Sequence, residues 1–279
     1  MKIFRLRSYS DYQRHSEAAA DLLKKHHDFL NSVTPDDRRQ FLVPGYSYTA
    51  GKQVEFRVDY EHSGGGSVNW RERVSCPETY YNNRMRATFH LFDIEMGAYM
   101  NSHIYITEQV TPIYGYFSER YPKVTGSEFL GDGMAPGAKN TKGIRNEDLC
   151  GLSFSDETFD IAVSLDVFEH IPRYEQAFRE CSRVLKPSGK MMWSVPFVAS
   201  SQKNLLRAQV VNGEIRHILP PEYHGDPLSG DGVLCFQHFG WEMLDQMRSA
   251  GFTDAYALCY HSTEFGYLGG ESFIFVAVK

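Results

Sequence analysis

Between residues 159 and 195 the spacing of apolar positions changes twice. Residues 159–165 (FDIAVSL) form a short, nearly continuous apolar run, the pattern of a parallel strand buried on both faces. From 173 to 185 the apolar residues Ala177, Phe178, Cys181, Val184 and Leu185 recur at three and four, one stripe of a helix. Lys186-Pro187-Ser188-Gly189 predicts the stop, because proline cannot continue a helix and glycine accepts the turn. Residues 190–195 (KMMWSV) resume as a strand. Strand, helix and strand joined by short turns make a right-handed parallel crossover.

Elsewhere the pattern is less regular. Tyr12, His15, Ala19, Leu22, Leu23, His26 and Phe29 share one face of a helix over 9–29. Residues 41–48 are interrupted by proline and glycine, and 54–60 alternate as a strand exposed on one face. The glycine-rich stretch 62–67 reads as a loop. Residues 78–100 predict a helix with Met85, Phe89, Leu91, Phe92, Ile94 and Met96 as its apolar contacts. Short strands are expected at 103–106 and from 124 toward Glu128. A long insertion follows over 197–240, then a helix over 240–251 and closing strands at 256–259 and 273–278.

With 279 residues, 42% hydrophobic and 23% charged, the chain has the composition of an ordinary soluble protein able to bury a substantial core. A net charge of −6 provides no electrostatic footprint for nucleic acid. The first residues lack the apolar core of a signal peptide, and no run approaches the ~20 apolar residues that span a bilayer. Five scattered cysteines (76, 150, 181, 235 and 259) without a CxxC pair read as reduced thiols. The expectation is a cytoplasmic protein without membrane or nucleic-acid partners.

The segment FDIAVSLDVFEHIPRYEQAFRECSRVLKPSGKMMWSVP resembles the fourth-to-fifth-strand region of class I S-adenosylmethionine-dependent methyltransferases. There the order is FD, an apolar strand, an acid-histidine loop, a helix, LKPGG and a strand. The resemblance implies an α/β fold: a Rossmann-like seven-stranded methyltransferase sheet over 96–279, its last strand pair including one antiparallel insertion. A mainly helical N-terminal extension over 1–95 would lid the pocket. Within that extension the block from Trp70 to Arg86 resembles an element found upstream of some bacterial methyltransferase domains, where paired cysteines are common. Here only Cys76 is present, which does not support zinc at that place. Whether the extension pairs two copies into a homodimer stays open.

The same resemblance implies S-adenosyl-L-methionine as cofactor and assigns residues to it. Glu108 matches the acid after the first strand, although the usual glycines are missing, so Gln109 and Thr111 would substitute for their contacts. Glu128 would accept the ribose hydroxyls, and Asp148 with Leu149 would stand beside the adenine, three acids at twenty-residue intervals. Leu165, Asp166 and His170, at the end of the central strand, would complete the cofactor site. Carboxylates in DVFEH would suit a hard ion such as magnesium, but capping of the next helix is the preferred reading and no metal is expected.

Removing a proton from a hydroxyl or amine acceptor calls for a base, and histidine titrates near neutrality. The stiff loop PEYHGDP supplies His224 as that base, with Asp226 as its orienting carboxylate; a self-satisfied turn is the alternative, and His217 and His238 are weaker candidates. The implied reaction is methylation of a small molecule, preferentially at oxygen. The rivals are a non-catalytic binding module of the same fold and a nicotinamide oxidoreductase. Against the latter stand the missing GxGxxG and the LKPSG turn.

Overall fold

The computed structural model describes every residue except 38, 62, 64, 65, 132, 226, 229 and 231. Its elements run β1 (Lys2–Leu6), α1 (Tyr9–Ala18), α2 (Ala20–Val33), β2 (Phe41–Ser47), β3 (Lys52–Val58), β4 (Val74–Ser75) and α3 (Asn83–Glu95). Then come β5 (Ile104–Ile106), α4 (Pro112–Arg120), β6 (Val124–Gly126), β7 (Phe159–Leu165), α5 (Tyr174–Val184) and β8 (Leu185–Ser194). Six short strands fill the insertion: β9 (Leu205–Leu206), β10 (Ala208–Val211), β11 (Glu214–His217), β12 (Tyr223–His224), β13 (Val233–Leu234) and β14 (Gln237–His238). The chain closes with α6 (Glu242–Ser249), β15 (Asp254–Ser262) and β16 (Tyr267–Val278). No helix among the described residues is long and apolar enough to cross a membrane.

Seven strands form one mixed sheet in the order β1-β15-β16-β8-β7-β5-β6. The pairs β6–β5, β5–β7 and β7–β8 are parallel, whereas β16 lies antiparallel to β8. The expected α/β sheet with an antiparallel strand near its end is therefore present. Its membership differs in one respect. Beyond β6 there is no further strand among the described residues, only an isolated parallel bridge between Glu128 and Asn146. The seventh strand is β1, which pairs antiparallel with β15 from Lys2↔His261 to Leu6↔Ala257.

The chain divides into two compact units. One comprises Met1–Leu6, Ser10–Gly97 and Ala257–Ile274, the other Arg7–Tyr9, Ala98–Tyr256 and Phe275–Lys279. The division at 97/98 lies beside the expected 95/96, but the first unit also takes a C-terminal segment and is not mainly helical. It carries the antiparallel sheet β2-β3-β4 over a core of Leu30, Val43, Phe56, Val58, Val74 and Leu268. Pro44 is tolerated because β2 is an edge strand in that sheet. The helix expected over 78–100 is shortened to α3, whose start is set by Asn82 accepting from the Met85 amide at 2.9 Å.

In the second unit, β7 occupies the residues its apolar run predicts, and α5 buries Ala177, Phe178, Cys181 and Val184. The KPSG turn departs from expectation: β8 runs through it with a bulge, pairing shifting between Phe159↔Leu185 and Ile161↔Lys190. Ser188 takes φ +64° there. A Cβ on Gly189 would lie 2.8 Å from the Lys186 carbonyl oxygen and 3.1 Å from that of Asp160. Both are backbone atoms, so Gly189→Ala is expected to destabilise the protein by about 1–3 kcal/mol through strain. Urea unfolding checks this, and a loss below about 0.5 kcal/mol, the level of a neutral surface change, would show that the bulge relaxes freely.

Candidate active site

The chain leaves β5 through α4 to β6 on one side, while β7 pairs on the other. That reversal is a topological switch point, and ligands bind beyond the carboxyl ends of the strands flanking it. Glu108 follows β5, Glu128 follows β6 and Asp166 follows β7, so three of the expected acids stand at that one edge.

The loop after β5 shows how a chain without glycines shapes this place. Glu128 Oε1 accepts from the backbone amides of Gln109 at 2.6 Å and Val110 at 2.9 Å. Gln109 in turn accepts from the Arg145 amide at 2.8 Å and donates to the Gly143 carbonyl at 3.2 Å. Thr111 caps α4 by accepting from the Tyr114 amide, with Pro112 in the first turn. Glu108 itself is buried. Side-chain and carboxylate contacts therefore position backbone that glycines would otherwise leave free to approach a ligand. The Tyr114 ring lies so close to Gly126 that a Cβ there would come within 2.5 Å of it.

Asp148 and Leu149 lie past the Glu128–Asn146 bridge; Asp148 accepts from the Cys150 amide at 2.7 Å, and Leu149 is buried. The neighbouring Glu147 escaped sequence reasoning. It is fully buried and takes Arg145 at 2.7 Å together with the Ser153 amide and hydroxyl at 2.9 and 2.6 Å. An acid between Asn146 and Asp148 carries no periodic signal that would separate it from a surface residue.

At the end of β7, Leu165 is buried and Asp166 adopts φ +54°, a left-handed conformation uncommon outside glycine. The Ser194 hydroxyl donates to Asp166 Oδ1 at 2.7 Å, and the Asp166 amide donates to the Ser194 carbonyl at 2.8 Å. The reversal leads into a single 3-10 turn, Phe168–His170. The insertion closes over that turn. The Phe236 amide donates to the Glu169 carbonyl at 2.7 Å, Gln237 Nε2 to the Phe168 carbonyl at 2.8 Å, and His170 Nδ1 meets the Leu234 carbonyl at 2.8 Å.

This clamp gathers a line of acids and imidazoles. Glu169 is fully buried, and neither carboxylate oxygen has a hydrogen-bond partner. The His224 Nδ1 lies 3.5 Å from its Oε1 and the His170 Nε2 3.7 Å, ion-pair distances rather than good hydrogen bonds. On its other side His224 Nε2 meets Glu222 Oε1 at 3.0 Å, and His238 Nε2 shares that oxygen at 2.9 Å. Arg207 approaches Glu222 Oε2 at 3.1 Å. Burial raises the Glu169 pKa despite His224 beside it. Glu169, and then Glu222, outweigh the burial of His224 and raise its pKa to about 9. Glu169, His170 and His224 bring one ligand atom each within 4.8 Å. Between two carboxylates, however, His224 keeps at neutral pH the proton that a metal would have to displace.

Thus His224 stands in the site. The expected partner Asp226 lies outside the described residues, and the carboxylates beside His224 are Glu222 and Glu169. His238 joins the line through Glu222, while His217 is exposed on β11. Glu222 was within reach of sequence reasoning: it stands two residues before His224, directly ahead of β12, where an extended chain turns such residues to one side.

Comparison with known families supplies what geometry alone leaves unnamed. Residues 114–193, from α4 nearly to the end of β8, match the family model described as a methyltransferase domain. That match covers 80 of the 279 residues. No curated protein matches this chain. Among solved structures it is similar to an S-adenosylmethionine-dependent methyltransferase from Mesorhizobium loti, with 15% identity, 69% of this chain and 98% of that one covered, and a TM-score of 0.44. A Methanosarcina mazei S-adenosylmethionine-dependent methyltransferase gives 16%, 68%, 95% and 0.39. The Burkholderia thailandensis 1,6-didemethyltoxoflavin-N1-methyltransferase, solved with S-adenosylhomocysteine, gives 15%, 70%, 77% and 0.40. The residues at this edge suit a ligand carrying a ribose: acids follow three successive parallel strands at the switch point, and the loop after β5 is fixed by the second of them.

Proposed function

We propose that this protein is an S-adenosylmethionine-dependent methyltransferase that transfers the methyl group to an oxygen of a small molecule. The observation that carries this reading is the Glu169–His224–Glu222 line, built where the insertion closes over the end of β7. Bound S-adenosylmethionine supplies an electrophilic methyl on sulfur; the protein must align the acceptor, exclude water and take the proton that a hydroxyl gives up. Glu108, Gln109, Thr111, Glu128, Asp148, Leu149, Leu165, Asp166 and His170 hold the cofactor in this reading, with Glu128 turned both to the loop amides and to the ribose. His224 takes the acceptor's proton, and Glu169 and Glu222 orient its ring and stabilise the imidazolium. The insertion supplies the wall that keeps water away. The negative net charge supports a small-molecule rather than a nucleic-acid acceptor.

A base whose pKa is raised to about 9 is protonated at neutral pH, so its active form grows as pH rises. The rate of methyl transfer to hydroxyl acceptors, followed with a labelled cofactor, is therefore expected to climb with pH toward that value. Glu222→Gln removes one of the carboxylates that favour imidazolium and should move the profile to lower pH by about one unit or more. A flat profile in wild type, or a profile unmoved in the variant, removes His224 from the role of base.

A further inference from the structure

Within the first unit, and apart from the methyl-transfer site, three side chains of different donor type converge. His15 comes from α1, Cys259 from the middle of β15 and Glu271 from β16. The His15 Nε2 lies 3.0 Å from Glu271 Oε1. Cys259 Sγ lies 3.7 Å from each of those two atoms. The imidazole and the carboxylate are 7% and 13% exposed, and Cys259 is 1% exposed, so the cluster is largely covered.

We infer that His15, Cys259 and Glu271 bind a zinc-class divalent ion, with the fourth coordination position open to water. Tetrahedral zinc holds nitrogen, oxygen and sulfur donors at roughly 2.0–2.3 Å, which sets neighbouring donors about 3.3–3.6 Å apart. The three observed separations lie within about 0.3 Å of that triangle, so closure around an ion needs side-chain adjustments only. The His15–Glu271 pair stands at hydrogen-bond distance. Here the third donor stands at equal distance from both. The donor set, one thiolate, one imidazole and one carboxylate, selects a borderline-soft ion such as zinc over magnesium or calcium.

The surroundings supply the outer contacts such a site needs. The Tyr12 hydroxyl donates to Glu271 Oε2 at 2.9 Å, fixing the carboxylate with Oε1 toward the histidine. The Phe4 ring packs against the imidazole with centroids 4.4 Å apart and limits its rotation. Among the described residues the direct contacts of Glu271 are Tyr12, His15 and Cys259, and its charge also acts on His261, whose pKa burial lowers. Binding would release the Cys259 thiol proton and tie together three segments distant in the chain.

Cobalt(II), a spectroscopic stand-in for zinc, tests this on the full chain after treatment with a chelator. The expected result is saturation near one equivalent, with a thiolate-to-cobalt charge-transfer band that zinc then displaces. Cys259→Ser should abolish the band, whereas Cys76→Ser should leave it intact. His15→Ala should weaken binding at least about tenfold while keeping thiolate coordination detectable at high cobalt, which keeps the test decisive if the Cys259 variant does not fold. S-adenosylmethionine binding should be unchanged in these variants, so failure of the metal site and failure of the methyl-transfer reading stay distinguishable. A missing band in wild type, a band that persists in Cys259→Ser, or unaltered affinity in His15→Ala overturns the assignment.

Discussion

Arg86→Ala is expected to destabilise the first unit by about 3–5 kcal/mol, because it leaves a buried set of carbonyls without their donors. The Arg86 side chain is fully buried in α3. Its guanidinium donates to the carbonyls of Phe265 at 2.7 Å, Gly266 at 3.0 Å and Val74 at 3.3 Å. It also lies 4.0 Å over the Phe56 ring. Burial lowers its pKa to about 10, still well above neutrality, so it remains a cation. A guanidinium reaches three acceptors in a fixed fork, which an ammonium cannot do. Arg86→Met would keep much of the volume and restore none of the hydrogen bonds. The expected order of stability in urea is therefore wild type, then Met, then Ala. Equal stability of wild type and Met would mean that packing over Phe56, and not the fork, holds β4, the turn at 263–266 and α3 together.

Glu128→Ala is expected to weaken S-adenosylmethionine binding about a hundredfold or more while leaving the protein folded. One carboxylate oxygen accepts two loop amides, and hydrogen bonds to a charged acceptor contribute about 1.5–3 kcal/mol each. In the variant the loop after β5 loses the contact that substitutes for glycines, and in the proposed reading the ribose loses its carboxylate. Glu128→Gln keeps an acceptor without its charge and should fall between the two. Calorimetric titration with S-adenosylmethionine and S-adenosylhomocysteine measures this directly. Unchanged affinity in Glu128→Ala would remove both the loop and the ribose assignment. His224→Ala is the control expected to retain cofactor affinity.

The strand–helix–strand segment from Phe159 to Ser194 was legible without a structure. Its strands are buried on both faces and α5 on one, so burial writes itself into local periodicity. Glu108, Glu128 and Asp166 were legible for a related reason: the end of a short parallel strand fixes where its next side chain stands. The helix over 9–29 is instead two helices, meeting at Ala19, and the insertion is built of hairpins. Those residues have weak periodicity, and long-range contacts decide their shape.

The sequence by itself determined the parallel crossover and the acids at the strand ends, since each depends on neighbours within a few residues. Tertiary structure alone decided that β1 rather than a further cofactor-side strand completes the sheet, because pairing across 250 residues leaves no local trace. It also decided that Glu222 and Glu169 flank His224, and that the amides after β5 rest on Glu128. A carboxylate's partner is chosen by where the chain folds back, and charge placement of that kind has no period to read.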